Sequence, residues 1–565
     1  MSADGHAKDP ASLFGLTSAQ THTVVILGVC LVVTLVYGSL ILAPPLTWDD
    51  GLNIFENPYF VSGSWTTLWH RPYFGMYVPV IDTVWAVLAH VGHGAAWPFR
   101  LFNVALHVTN VVLFARLASG LLRRFELESE IGLAIGVVIF ALHPTQSAAV
   151  SWISGSRDLA ATTFALAAVG VYFANRRGAA AISTLLFVAG LLCKPHIAGV
   201  PLAIALYVWL FERQDFRRTA IVMGLWSAFV VLSAVVTWLA QVEALGVAVP
   251  VAHRPAIALD AMGFYLMKAV WPFPLAADYG RTPNLVWDEP RRMIPTISAV
   301  VLASAGLWWA VHKSSNYKIA LAWPIVLLPV LGFVPFGYQR ISTVADHYSY
   351  LPLAVLAALG AIAVARARWR DARIAWALPA FLVVTQATTS LRRAQDWRDD
   401  DRFYSDMLEK NPASFSAQIN LAASYCERGN WRTGLALVAR TESRASNDPG
   451  FLANKAFCLY KGDRFDEVLA LQMNLRDAAV RDGFARNPRA ASVFATSVAA
   501  AYDARGSLIR AFAYLCQAQA VTPEDATVAA AVEGFRRELL NGGRNVGCPG
   551  LLPWDTLERV VSDLQ

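Results

Sequence analysis

Asp49 and Asp50 stand side by side just after the first apolar stretch, in Trp48-Asp49-Asp50, with Asn53 and Asn57-Pro58-Tyr59-Phe60 following. Adjacent carboxylates repel one another, and more so beside low-dielectric hydrocarbon, so a pair kept there points to chemistry on protons, cations or phosphates. Polar side chains that could join them sit at the ends of later apolar stretches. They are His143 in Leu142-His143-Pro144-Thr145-Gln146, Arg157-Asp158 after Ser154-Gly155-Ser156, Lys194 and His196 in Cys193-Lys194-Pro195-His196, Arg340 in Tyr338-Gln339-Arg340, and Asp346-His347-Tyr348 before Ser349-Tyr350-Leu351-Pro352. Cations at Lys194, Arg157, Arg340 and His347 facing Asp49 and Asp50 would suit an anionic headgroup beside a general base. Taken singly, each has a plainer reading: a helix-end cap for His143, a local pair for Arg157-Asp158, a snorkelling anchor for Lys194, an aromatic belt for Tyr348.

The elements that must position these residues are membrane helices. With 565 residues, 56% of them hydrophobic, the first two-thirds of the chain is too apolar for a soluble globule. Segments near spanning length fall at 23–43, 98–121, 131–148, 159–175, 180–193, 197–211, 219–240, 294–311, 319–336, 347–365 and 374–391, which predicts an all-α polytopic bundle of about eleven spans. The first is read as a retained anchor, because Ala43-Pro44-Pro45 offers no small-x-small cleavage site. Basic residues at Arg123-Arg124, Arg176-Arg177, Arg213 with Arg217-Arg218, His312-Lys313 with Lys318, and Arg366 to Arg373 mark the cytoplasmic side if 79–93 lies on the surface. Helix 257–275, holding Lys268, is then lateral or re-entrant, and loop 44–97, the turns at 143–158 and 194–196, loop 337–346 and the C-terminus face outward. All the candidate residues gather on that outer face. Arg291-Arg292 also lie there, against the charge rule. The net charge of +6 reflects loop bias and a basic tail, so no nucleic-acid partner is expected.

After about 395 the chain turns to mixed charge and alanine with the period of paired amphipathic helices. Asn411-Pro412, Asp448-Pro449, Asn487-Pro488 and Thr522-Pro523 recur at intervals of 37, 39 and 35 residues, with Gly429, Gly462 and Gly506 between them. This is similar to the tetratricopeptide repeat, a helical solenoid that binds proteins or peptides, with a generic array of helical hairpins as the alternative. Of six cysteines, Cys30 and Cys193 lie in apolar stretches and Cys426, Cys458, Cys516 and Cys548 in the tail. Cys516 with Cys548 is the candidate disulfide if the tail meets an oxidising compartment, and buried free thiols are the alternative.

Several motifs follow in a set order: Trp48-Asp49-Asp50 with Asn53-Ile54 and Asn57-Pro58; Tyr77-x-Pro79-Val80; Phe102-Asn103-Val104-x-x-His107; Ala141-Leu142-His143-Pro144 through Asp158-Leu159; Lys194-Pro195; Tyr348-x-Tyr350-Leu351-Pro352; and Asp396-Trp397-Arg398-Asp399. That ordered set, spanning nearly the whole chain, resembles the TMTC-type (transmembrane and tetratricopeptide-repeat) O-mannosyltransferases and their bacterial relatives. The resemblance implies a GT-C glycosyltransferase domain over 1–394 and a TPR-like domain over 395–565. The basic loops put the N-terminus in the cytoplasm and the TPR-like domain outside, and an Arg- and Ala-rich composition with few lysines favours the periplasmic side of a bacterial inner membrane over an endoplasmic reticulum. The resemblance further implies a polyprenyl-phosphate sugar donor and a protein or glycan acceptor, the latter engaged through the TPR-like domain. Asp49, with Asp50 beside it, would be the acceptor base; His143 would line the cleft; Lys194 and Arg157 would hold the lipid phosphate. Asp158, His196, Arg340, Asp346, His347 and Tyr348 complete the substrate-binding set. Asp50 and Asp158 are the candidate ligands should Mg2+ or Mn2+ take part.

The chain departs from that pattern at three places. Ala148 stands where relatives carry a glutamate, Asp346-His347 replaces Glu-Arg, and Val78 replaces the arginine of Tyr-Arg-Pro. These losses leave a second reading open, a catalytically inactive GT-C-derived scaffold whose repeat domain organises an envelope complex. A secondary transporter is disfavoured, since it would place charges at helix midpoints or between paired broken helices.

Overall fold

The computed structural model describes residues 17–212, 216–241, 249–367, 372–523, 525–544, 546–548 and 550–563. Arg213 and residues 368–371, used above to argue orientation, lie outside the described residues. The chain forms two compact units, Met1–Asp399 and Asp400–Gln565. The fold is all-α, and among the described residues the only β pairing is an isolated bridge between Tyr73 and Met76.

Five helices in the first unit are long and apolar enough to cross a membrane: Ser18–Gly38, Trp97–Arg124, Phe216–Gln241, Pro290–Lys313 and Asp346–Arg366, of 21 to 28 residues. At about 1.5 Å per residue, 21 residues already cover about 30 Å of hydrocarbon. The chain is an integral membrane protein. Most of the remaining stretches expected to span are shorter or interrupted, and prolines account for much of this. Segment 131–148 divides into Glu130–Leu142 and Gln146–Ser151 around His143-Pro144-Thr145, and 319–336, with Pro324 and Pro329, becomes the six-residue helix Ala322–Leu327 between 3-10 turns. Ala179–Leu191 and Val200–Phe211 have 13 and 12 residues. Ser156–Ala174 and Ala372–Gln395 have 19 and 24, the first opening on Arg157-Asp158 and the second closing on Arg392-Arg393. Pro79–Val91, at 13 residues, is too short to cross.

Close backbone approach and a buried polar network hold the centre of this unit. Gly132 and Gly136 let Glu130–Leu142 lie against Tyr350–Arg366; a Cβ on Gly132 would come within 2.7 Å of the Ala361 carbonyl oxygen. Across the same region His107 Nδ1 lies 2.6 Å from the Tyr350 hydroxyl and His107 Nε2 2.9 Å from the Ala141 carbonyl, while Asn110 donates to Tyr350 at 3.1 Å. Asn103 donates to the Trp152 carbonyl at 2.7 Å. The Asn103, His107 and Tyr350 positions of the ordered motifs therefore fasten three helices together.

In the second unit, hairpins follow one another: Phe415–Glu427 with Trp431–Ala439, Pro449–Lys461 with Phe465–Ala470, and Pro488–Ala504 with Leu508–Val521. Gly429 and Gly506 take positive φ of 82° and 73° at the turns, a conformation that a Cβ disfavours. Pro449 and Pro488 start the first helix of the next hairpin, where no amide hydrogen is required. Cys516 pairs with Cys548, as proposed from the sequence, and Cys426 pairs with Cys458. Cys30 and Cys193 are free and buried.

Candidate functional site

Pro44-Pro45 end the first helix region, and the loop that follows is pinned from the side. Arg100, buried in the first turn of Trp97–Arg124, donates to the carbonyls of Ala43 at 3.0 Å, Ser151 at 2.7 Å and Pro44. Asp50 completes the clamp. One of its oxygens accepts from the Ser154 amide at 3.0 Å and hydroxyl at 2.7 Å, the other from the Leu46 amide at 3.3 Å, and the side chain is fully buried. The turn that presents Ser154 needs Gly155, because a Cβ there would meet the Ala149 carbonyl oxygen at 2.2 Å.

The two adjacent carboxylates are thus unlike. Asp50 is spent on the backbone, whereas Asp49 is only partly buried and makes no side-chain hydrogen bond or ion pair among the described residues. Burial pushes the Asp49 carboxyl up, Asp50 adds to the rise, and Arg157 and Lys194 pull against it, leaving it at about 7. Burial also raises Asp50, opposed by Ser154, Arg100 and Leu46. Removing Asp50 strands the Ser154 and Leu46 amides and takes from Arg100 the carboxylate that acts on it. Asp50→Ala is expected to destabilise the first unit by about 2–4 kcal/mol, seen as a lower thermal midpoint in detergent, and an unchanged midpoint would refute the clamp.

Arg157 opens the helix Ser156–Ala174 and points back at this loop. Its Nη2 donates to Asn53 Oδ1 at 2.8 Å, Nη1 lies 3.3 Å from the Met76 sulfur, and the guanidinium sits 4.5 Å over the Trp85 ring. Only 7% exposed, it has no carboxylate at ion-pair distance among the described residues, although Asp82, Asp49, Asp158 and Asp50 all act on it electrostatically. Arg157 Nε and Asn53 Nδ2 are buried donors without a partner. Other buried donors, Arg281 Nε and Arg510 Nε among them, also lack a partner, and what sets these two apart is their place in the neighbourhood of the unengaged Asp49.

Lys194 is held differently. Its ammonium donates to both oxygens of fully buried Asp158, at 2.8 and 2.7 Å, and lies 5.3 Å from the Tyr348 ring centre. His347 and His196 are the next electrostatic neighbours of Asp158. His347 packs edge-on to Tyr348 at 4.2 Å and against Trp152 at 5.5 Å, while His196 is buried with neither ring nitrogen partnered.

Asp49, Asp50, Arg157, Asp158, Lys194, His196, His347 and Tyr348 therefore lie in one electrostatic neighbourhood. His143 does not join them: its ring is used on both sides, 2.8 Å from the Thr145 hydroxyl and 3.2 Å from the Ala269 carbonyl, where it fastens the break between two helices. Asp346 accepts from the Tyr279 hydroxyl at 2.6 Å and lies 3.9 Å from Arg393, and Arg340 is exposed with no ion pair among the described residues. Neither candidate metal ligand has a spare pair of oxygens, since Asp158 is committed to Lys194 and Asp50 to Ser154 and Leu46. Among the described residues no group of three or more His, Cys, Asp or Glu is placed to hold a metal ion.

Arg100 and Asp82 were not singled out from sequence, and Asn53 and Ser154 were named within motifs without a role. Arg100 and Ser154 hold the loop, Asn53 orients Arg157, and Asp82 stands beside it. Asp82 left the clearest signal, a lone acid in the apolar run Pro79-Val80-Ile81-Asp82-Thr83-Val84-Trp85.

No protein-family model and no curated protein matches the chain. Among solved structures, the crystal structure of ArnT from Cupriavidus metallidurans bound to undecaprenyl phosphate aligns with 88% of this chain and 80% of that chain, at 14% identity and a TM-score of 0.35.

Proposed function

We propose that the protein is a GT-C-type glycosyltransferase that moves a sugar from a polyprenyl-phosphate carrier to a hydroxyl of a protein or glycan on the outer face of the membrane. The observation that carries this reading is the pair of buried, unpartnered donors, Arg157 Nε and Asn53 Nδ2, beside a carboxylate that is itself unengaged. An anionic oxygen on the first two and a hydroxyl on the third would satisfy all of them.

Asp49 takes the proton of the acceptor hydroxyl as that oxygen attacks the anomeric carbon. The bond from that carbon to the phosphate oxygen breaks with inversion, and its electron pair stays on the leaving phosphate. Arg157, supported by Lys194, opposes the charge that grows there. No metal enters these steps. The two disulfides of the second unit support an outward, oxidising location for it, and its chain of hairpins suits a tetratricopeptide-like acceptor-binding role.

Because only ionised Asp49 can accept the proton, transfer is expected to rise about tenfold per pH unit well below pH 7 and to level off above it. A profile flat from pH 5.5 to 8.5 would remove Asp49 as the base. The reading as a whole is tested with purified protein in vesicles supplied with polyprenyl-phosphate hexoses and with envelope glycans or proteins as acceptors. Consumption of the lipid-linked sugar with release of polyprenyl phosphate supports it, as does loss of a hexose-type addition, by mass spectrometry, from cells lacking the gene. Binding without turnover under all pairings would favour the inactive scaffold.

A further inference from the structure

Asp82 belongs to none of the roles assigned so far, yet its position is specific. The helix Pro79–Val91 carries it and docks on the turn that bears Lys194, its Val80 amide donating to the Leu192 carbonyl at 3.3 Å. One turn along the same helix, Trp85 donates to the Ser156 hydroxyl at 2.8 Å and covers the Arg157 guanidinium. These contacts bring Asp82 to Arg157, whose strongest carboxylate neighbour it is, ahead of Asp49.

Asp82 is 7% exposed and, like Asp49, makes no side-chain hydrogen bond or ion pair among the described residues. A buried carboxylate in the field of a buried cation without closing a salt bridge on it is a costly arrangement unless the gap has a use. The buried donors left open, Arg157 Nε and Asn53 Nδ2, suit such a use: they leave the guanidinium an edge for an anion that is not part of the chain. An anion seated there would face Asp82 across Arg157.

We propose that Asp82 is a positioning residue that competes with a bound phosphate group for Arg157, holding the guanidinium in the empty cleft and driving the phosphate product out after transfer. The proposal rests on the lipid-linked donor reading above. When a phosphate group arrives, Arg157 turns its charge to the ligand and Asp82 is left facing a like charge, which it relieves by taking up a proton. Loss of that proton restores the competition, and the doubly charged product leaves. The groups facing Asp82 are Arg157 from the helix Ser156–Ala174 and Cys193 from the adjoining turn, with Asp49, Asp158 and Asp50 ranged on Arg157. Burial, opposed by Arg157, already sets the Asp82 carboxyl at about 6, within reach of such a change.

The test is binding, by intrinsic fluorescence or calorimetry in detergent, of a short-chain polyprenyl phosphate and of inorganic phosphate to the full chain. Wild type is compared with Asp82→Asn and Asp82→Ser, which remove the charge, and Asp82→Glu, which keeps it. Comparing the variants at each pH cancels the ionisation of the phosphate itself. The neutral variants are expected to bind about tenfold tighter than wild type at pH 8 and equally at pH 5, with Asp82→Glu following wild type, an effect of the size usual for coupling between sites. A merely structural Asp82 would give weaker binding in every variant at every pH. Unchanged or weaker binding by the neutral variants at pH 8 overturns the inference, while failure of wild type to bind either probe overturns the donor reading itself. If one neutral variant fails to fold, the other decides.

Discussion

Asp49→Asn lowers the rate of sugar transfer by about 10²–10⁴-fold, the range over which a positioned general base acts, while expression and thermal midpoint stay close to wild type. The second half of that expectation follows from the first unit's hydrogen bonds. Asp49 supports no backbone group and closes no ion pair among the described residues, so an amide in its place takes a partner from no other group. Removing the charge also costs little fold stability, because burial and Asp50 disfavour it and only Arg157 and Lys194 favour it. The measurement is kcat and KM for the lipid-linked sugar in vesicles, with unfolding followed in parallel. Loss of kcat at near-constant KM and midpoint is the expected pattern. Full activity would eliminate the base, and a collapsed midpoint would make Asp49 a second clamp like Asp50. The contrast between the neighbours is the sharper form of the experiment, since Asp50→Asn should lose stability and Asp49→Asn activity.

That contrast could not be drawn from the sequence. Two consecutive aspartates look alike there, and only the turn at Ile153–Gly155, folded back across about a hundred residues of chain, decides which of them meets the Ser154 amide. The convergence of Arg157, Lys194, His196, His347 and Tyr348 was legible, because each sits at the end of an apolar stretch and short connections bring such ends to a common face. For His143 the plainer of the two sequence readings, a group at a helix end, has a physical reason. A histidine beside a helix-breaking proline looks like a cleft residue, but the break itself frees backbone groups, and here the ring satisfies that neighbourhood through Thr145 and Ala269. Arg340 and Asp346 were grouped with the rest by loop alone, and the 3-10 turns at Gly337–Arg340 and Asp346–Ser349 separate the first to the surface and the second toward Tyr279. The helical character of the membrane unit was plain in its apolar runs, while the number of long spans was not. Counting apolar residues passes over the prolines that divide 131–148 and 319–336. Asp82 escaped notice because a single acid on an amphipathic helix reads as the solvent face, and only docking on the Leu192–Lys194 turn buries it.

Arg157→Gln is expected to cost about 10²–10³-fold in kcat/KM, the range for losing one preorganised donor at a developing charge. Arg157→Lys should rescue little of it. The argument turns on geometry rather than charge alone. The guanidinium carbon lies 4.5 Å over the Trp85 ring and one end is held by Asn53 at 2.8 Å, which leaves Nε as the edge available to a ligand. A lysine ammonium would keep the charge but lose the stacking, the Asn53 bond and the planar fork together. Lys194 cannot take over, because Asp158 holds two of its three N–H groups. It follows that Lys194→Met should be milder on phosphate affinity than Arg157→Gln, and harsher on stability, since it strands Asp158 as a buried, unpaired carboxylate. The pair is read by titrating polyprenyl phosphate against both variants and recording their thermal midpoints. Equal losses of affinity with equal midpoints would mean that the two cations share the phosphate, and a larger affinity loss at Lys194 would reverse the assignment and place the anion on the Asp158 side of the cleft.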